Sequence, residues 1–320
     1  MMNVQKLYIW IIILLTVLVL KTGTPACAQY ASDPGPYQVY VLCIWGDADK
    51  NRDNVKTVKT TEECLMKFFA DIQKKWKEED EKSGKIRSFS IESLYGSRTS
   101  RDEILKKCRE VSEKAGPDDV VFIYVLCHGG HVKGSLEHTH FFIPTALSAD
   151  SWTKDDIIYR REIQEILNEN EHRLNILITD TCAHVTSKKS VGSSKRGILS
   201  TVPEFPAYDS IFNDFVGTIN INSTSWKGGM GKKGEMAIGS SDYGTAFTRA
   251  LISTLQQETQ PSRYTKPKFL DALQVETNQS FNELKRSFEK NQDGLFYSIL
   301  EQETQSISEY DEDGNAIERK

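Results

Sequence analysis

Three short stretches of the chain are apolar at nearly every position rather than at every second one: 38–45 (QVYVLCIW), 119–127 (DVVFIYVLC) and 174–179 (LNILIT). A strand with one wet face alternates apolar and polar side chains, whereas a strand covered on both faces need not. Helical patterns separate these runs. Residues 61–79 place Leu65, Phe68, Phe69, Ile72 and Trp76 at helical spacing. Ser100 and Glu103 form a capping-box pair ahead of Ile104, Leu105, Cys108 and Val111, and Gly116-Pro117 ends that helix. Buried strands alternating with helices predict an α/β fold, a three-layer α/β/α sandwich around a mostly parallel central sheet.

The remaining elements complete that plan. Residues 86–94 and 215–221 read as further strands, and helices are expected near 156–168, after Gly244 and over roughly 268–289. A polar, hairpin-like region follows Cys127. Residues 301–320 hold seven acids against Arg319 and Lys320 and read as a solvated tail; their DxDGN, Asp311 to Asn315, is too short for a calcium loop.

The first residues follow a different logic. Residues 7–20 are 14 uncharged, strongly apolar positions between Lys6 and Lys21, and Ala26-Cys27-Ala28 supplies an A-x-A site. That length suits the core of a signal peptide better than a bilayer-spanning helix. Residues 1–28 are therefore expected to be a signal peptide, with an uncleaved membrane anchor as the alternative, and 29–36 (QYASDPGP) a linker. The expected location is secreted or periplasmic, with no stable membrane insertion once the signal is cut. Removing Lys6 and Lys21 takes the net charge from −5 to −7, which argues against a nucleic-acid partner. Five cysteines then remain, an odd number that flags a free thiol in an exported protein. Four lie inside apolar or helical patterns; Cys182 alone follows directly on a strand.

Two strands end in reactive residues. The run Val120–Cys127 delivers His128-Gly129-Gly130, and Leu174–Thr179 delivers Asp180-Thr181-Cys182. Open α/β sheets place their chemistry outside the carboxyl ends of the strands. If the two strands are neighbours, an imidazole and a thiol meet there, the pair required for nucleophilic catalysis. Gly129 lacks a Cβ, so its N–H could approach a developing oxyanion closely.

An apolar strand ending in His-Gly, with Asp-x-Cys ending another 54 positions later, resembles the caspase/metacaspase superfamily of cysteine peptidases. The stretch Gly244-Thr245-Ala246-Phe247-Thr248-Arg249-Ala250-Leu251 is similar to a helix start in bacterial caspase-like domains. The resemblance implies a caspase-like peptidase domain over 37–300, protein or peptide substrates, Cys182 as nucleophile and His128 as general acid/base. It places the oxyanion hole at the N–H groups of Gly129 and Cys182. It makes Asp180 the substrate-binding acid of the S1 pocket, selecting arginine or lysine at P1. No cofactor is implied, although calcium activates many metacaspases. Metacaspases usually carry Ser-Gly before the histidine and His-Ser-Gly after the cysteine, where this chain has Leu126-Cys127 and Ala183-His184-Val185. A legumain-like peptidase and a catalytically silent peptide-binding domain are the alternatives.

Other residues carry competing readings. Residues 187–197 (SKKSVGSSKRG) hold four bases and no acid just after Cys182, so self-cleavage after Lys189 or Arg196 is expected. His131, His138 and His140 could join His128 in a metal site, but no acidic ligand stands at motif spacing, so no metal is expected. Cys43 and Cys127 read as packed thiols in preference to a disulfide. Asn222-Ser223-Thr224 and Asn278-Gln279-Ser280 match glycosylation sequons. Ser225-Trp226-Lys227 is similar to a caspase substrate-wall motif.

Overall fold

In the computed structural model, residues 35–131, 140–146, 153–181, 206–224, 237–259, 264–290, 305–311 and 316–317 are described. The segment 1–28 and Lys189 and Arg196 lie outside them, as does Cys182.

The central sheet is built from the fully apolar runs. Strands β1 (Tyr37–Trp45), β2 (Arg87–Tyr95), β3 (Val120–Leu126), β7 (Leu174–Asp180) and β8 (Gly217–Asn222) lie in the order β8-β7-β3-β1-β2, all parallel. Each strand sends successive side chains to opposite faces. On one face, Val41, Cys43, Trp45, Phe122, Tyr124, Ile176 and Ile178 join a core with helices α1 (Arg52–Ser83), α4 (Ala207–Asp214), α5 (Ala246–Gln256) and α6 (Lys266–Lys290). On the other, Leu42, Ile44, Val121, Ile123, Val125 and Leu177 pack under α2 (Arg101–Lys114) and α3 (Arg160–Asn168). Three layers result, as the sequence pattern requires.

Local signals explain the helix ends. Asn51 caps α1 by accepting from Asp53 N, and Gly84 closes it at φ 75°, a left-handed conformation open to glycine. The helix therefore starts nine residues before the apolar periodicity predicts. Ser100 and Glu103 form the expected capping box of α2. The helix expected from 156 begins only at Arg160. Before it, Lys154–Asp156 forms a 3₁₀ turn and β6 (Ile158–Tyr159) pairs with β5 (His140–Ile143).

After β3 the chain leaves the main sheet. Strand β4 (His128–His131) pairs antiparallel with β5, giving a small sheet β4-β5-β6 beside the carboxyl ends of the main strands. The expected hairpin after Cys127 is this pair, and a second short antiparallel pair, β9 (Gly239–Ser240) with β10 (Gly244–Thr245), leads into α5.

Two readings change. Residues 305–311 are not a solvated end: β11 (Ser308–Tyr310) adds antiparallel to β8 and pairs with β12 (Ala316–Ile317), while Gln305, Ile307 and Tyr310 are buried. The packed fold thus runs beyond residue 300. The sequon at Asn222 is closed, because that side chain is wholly buried, and Asn278 Oδ1 accepts from Gln305 N at 3.1 Å. Cys43 is a buried thiol with no disulfide to Cys127. Cys127 instead abuts Gly46, where an added Cβ would stand 2.5 Å from Cys127 Cβ.

Candidate active site

The β3–β7 ladder ends at the pair Leu126↔Asp180, so the two reactive strand ends are neighbours. One bend later stands His128. Gly129 is pressed against the end of β7: a Cβ there would lie 2.7 Å from Thr181 Cβ and 2.9 Å from Phe141 O. Only a residue without a side chain fits, so His128-Gly129 is seated beside Thr181, the residue bonded to Cys182.

Sequence reasoning did not single out the partner of His128. Asp49, in the loop after β1, places Oδ2 2.8 Å from His128 Nε2. Asp49 is itself held: Asn54 Nδ2 donates to Oδ2 at 2.6 Å and Asn51 N donates to Oδ1 at 2.7 Å. Its side chain is 5% exposed against 27% for His128. Burial alone would raise the Asp49 pKa; the hydrogen bonds from His128, Asn54 and Asn51 outweigh it and hold the carboxyl below its ordinary value. An ionised carboxylate only accepts, so Nε2 is the donor in this contact. Nδ1 makes no hydrogen bond among the described residues. A signal for Asp49 existed. It follows the carboxyl end of a third buried strand, four positions past Trp45, where His128 stands two past Leu126.

Asp180 is wholly buried at the end of β7, under the start of α5. Its Oδ2 accepts from Thr248 Oγ1 at 2.9 Å, from Tyr124 OH at 3.3 Å and from Thr245 Oγ1. Thr245 is the N-cap of α5 and accepts from Thr248 N. Among the described residues Oδ1 has no hydrogen-bond partner, and the Ser223 hydroxyl is a further neighbour that favours the ionised carboxylate. Burial pushes the Asp180 carboxyl up, and the hydroxyl donors, Thr245 first, offset this only in part.

Behind Thr181 lies a second polar layer. Thr181 O accepts from Thr224 Oγ1 at 2.9 Å, Ser223 Oγ at 3.3 Å and Asn222 Nδ2 at 3.4 Å. Asn222 Oδ1 accepts from Thr179 Oγ1 at 2.6 Å and Thr181 Oγ1 at 2.9 Å.

The expected site is thus brought together in part. His128, Gly129 and Asp180 converge on the carboxyl ends of β3 and β7, whereas Cys182, Lys189, Arg196, His138, His184 and Ser225-Trp226-Lys227 lie outside the described residues. His131 and His140 face each other across β4–β5 as backbone partners. Among the described residues no helix is long and apolar enough to cross a membrane.

Fold and site define an α/β sandwich with a half-buried acid–imidazole pair at the carboxyl edge of its sheet. No protein-family model matches the chain, and no curated protein matches it. Among solved structures, a Geobacter sulfurreducens protein is similar at 12% identity and a TM-score of 0.41, over 75% of this chain and 89% of that one. That degree of likeness carries no argument about function.

Proposed function

We propose that this chain is an exported cysteine endopeptidase of the caspase/metacaspase type, cutting peptide bonds after arginine or lysine. The observation that carries the reading is the 2.8 Å Asp49–His128 contact. In this reading Nε2 donates to Asp49 and Nδ1 acts as the base, on the residue before Gly129, which is pressed against Thr181.

Nδ1 takes the thiol proton, and the thiolate attacks the substrate carbonyl carbon. The oxyanion is received by the N–H groups of Gly129 and Cys182. Collapse breaks the C–N bond, and imidazolium returns its proton to the departing amine. Water, deprotonated by the same nitrogen, then hydrolyses the thioester and frees Cys182. Throughout, Asp49 stabilises the imidazolium and fixes the ring. Asp180 Oδ1, buried and unpartnered, is the acceptor for a guanidinium or ammonium at P1.

Labelling with an arginyl chloromethyl ketone tests this, with wild type beside Cys182→Ala and His128→Ala. Wild type is expected to take up one label at Cys182 and to cleave arginyl peptides; both variants should lose turnover by several orders of magnitude while staying folded. Cleavage that persists in Cys182→Ala defeats the thiol mechanism. An unlabelled, inactive wild type favours the silent peptide-binding alternative.

A further inference from the structure

The triplet Asn222-Ser223-Thr224, which matches a glycosylation sequon in sequence, is wholly buried and faces the end of β7. Thr224 Oγ1 and Ser223 Oγ donate to one atom, Thr181 O, at 2.9 and 3.3 Å, and Asn222 Nδ2, 3.4 Å from it, donates to Thr224 O at 2.9 Å and Thr224 Oγ1 at 3.0 Å and so holds Thr224 in place. The two hydroxyls use both lone pairs of that carbonyl. That oxygen belongs to the peptide joining Thr181 to residue 182. A peptide group is planar, so fixing its oxygen fixes the direction its N–H can take. Donors on the oxygen also polarise the group and strengthen the N–H as a donor.

The triplet is itself anchored from behind. Arg160, the first residue of α3, is 1% exposed, and no carboxylate among the described residues pairs with it. Nε donates to Asn220 Oδ1 at 2.7 Å, Nη2 to Leu177 O at 3.2 Å and to Ile221 O, and Nη1 to Thr179 Oγ1. Thr179 passes the contact on to Asn222 Oδ1. The Tyr310 ring covers the guanidinium, 4.4 Å from centroid to Cζ, and Gln305 Nε2 donates to Ser223 O at 2.9 Å. Burial brings the Arg160 pKa down to about 10. A buried cation served only by neutral acceptors is a costly way to join two strands. Tying β7 to β8 at Leu177 and Ile221 could have been left to the ladder. What the guanidinium adds is the orientation of Thr179 and, through it, of Asn222.

We propose that Asn222 and Thr224 are positioning residues that hold the Thr181–Cys182 peptide for catalysis, with Arg160 keeping them in place. The inference rests on the peptidase reading above. In that reading the Cys182 N–H is one of the two oxyanion donors. The clamp therefore acts on kcat through orientation and leaves substrate binding, which belongs to Asp180, alone.

Thr224→Val and Thr179→Val remove one hydroxyl each at nearly constant volume; Thr224→Ser and Thr179→Ser restore it. Steady-state kinetics on an arginyl peptide amide are measured beside the rate of Cys182 alkylation by iodoacetamide, which needs no oxyanion hole, and beside thermal unfolding. The valine variants are expected to lose tenfold or more in kcat with KM within about twofold and alkylation unchanged, and the serine variants to recover most of it. Arg160→Met should behave as Thr179→Val does if it folds. The proposal is overturned by wild-type kcat in both valine variants, by losses that follow the fraction unfolded, or by alkylation falling in step with turnover. Wild-type protein without any Cys182-dependent cleavage defeats the peptidase reading and this inference with it, whereas normal wild-type activity with unaffected valine variants defeats this inference alone.

Discussion

Replacing Asp49 by Asn isolates what the buried carboxylate contributes. The substitution keeps size and an acceptor oxygen, but it removes a charge 2.8 Å from His128 Nε2 in a side chain 5% exposed. Two unit charges at that separation interact by roughly 6 kcal/mol at an effective dielectric constant of about 20. His128 is partly open to solvent, so a fraction of this, about 3–4 kcal/mol, is the expected loss of transition-state stabilisation. At about 1.4 kcal/mol per decade, kcat/KM should fall some two to three orders of magnitude. An amide at position 49 can also donate to Nε2, which moves the ring proton to Nδ1 and blocks the base that the mechanism needs. The assay is kcat/KM on an arginyl peptide amide from pH 4 to 9, with urea unfolding alongside. Because the folded Asp49 carboxyl lies below its ordinary value, its stabilising contribution is complete above the ordinary carboxylate range. It is lost as pH falls through the lowered value, and Asp49→Asn should lack that acid component. Turnover within threefold of wild type in a folded Asp49→Asn variant would refute the reasoning, since the imidazole would then need no anionic partner.

The remaining predictions concern specificity and processing. Asp180→Asn is expected to lower kcat/KM for arginyl and lysyl substrates about a hundredfold while sparing neutral P1 residues, read by peptide-library cleavage; equal or better cutting after aspartate by the wild type would count against the assignment. Because the folded Asp180 carboxyl is raised, the native state binds the extra proton and stability falls as pH rises from the ordinary carboxylate value through the raised one. Urea unfolding of Asp180→Asn should lack that decline. Purified wild type should split after Lys189 or Arg196 over time while Cys182→Ala stays whole, checked by terminal sequencing; equal cutting of both would point to a contaminating protease.

What the sequence made legible depended on how local the cause was. Strands β1, β3 and β7 are apolar on both faces and were readable from a few residues each. The capping box of α2 was likewise written in four positions, Ser100 to Glu103. The start of α1 was not, because its first turns bury Thr57, Val58 and Thr61 in place of an apolar stripe. Strand β11 hides for another reason. A three-residue strand has too short a period to see, and Tyr310 is buried where the strand pairs with β8 and covers Arg160. Within the site, His128 and Gly129 announced themselves by residue type and strand end. Asp49 makes its contact across 79 positions, and its place beyond the carboxyl end of β1 was the local hint of it. Asn222 and Thr224 were misdirected by a motif whose meaning depends on exposure, which only the fold decides.

The environment of Asp180 bears on whether a carboxylate there is simply an anchor for α5. An anchor would gain most from full satisfaction. Oδ2 meets that description: it accepts from three hydroxyls, one of them the N-cap of the helix whose first turn favours an anion. Oδ1 does not. Among the described residues it is buried without a partner, which typically costs about 1–3 kcal/mol. Three donors on one oxygen favour the ionised form, while burial and the empty second oxygen favour the neutral one, and burial prevails. A purely structural acid in that position would be improved by any donor on Oδ1, and an asparagine or a leucine would be a cheaper filler. The unmet acceptor is what a site prepared for a cationic side chain should look like before that side chain arrives. If the proposed peptidase reading holds, a bound arginine or lysine side chain would supply a donor and the opposite charge together, and both would shift Asp180 toward its ionised form. The stability that Asp180 withholds from the folded protein would then reappear as discrimination for arginine and lysine.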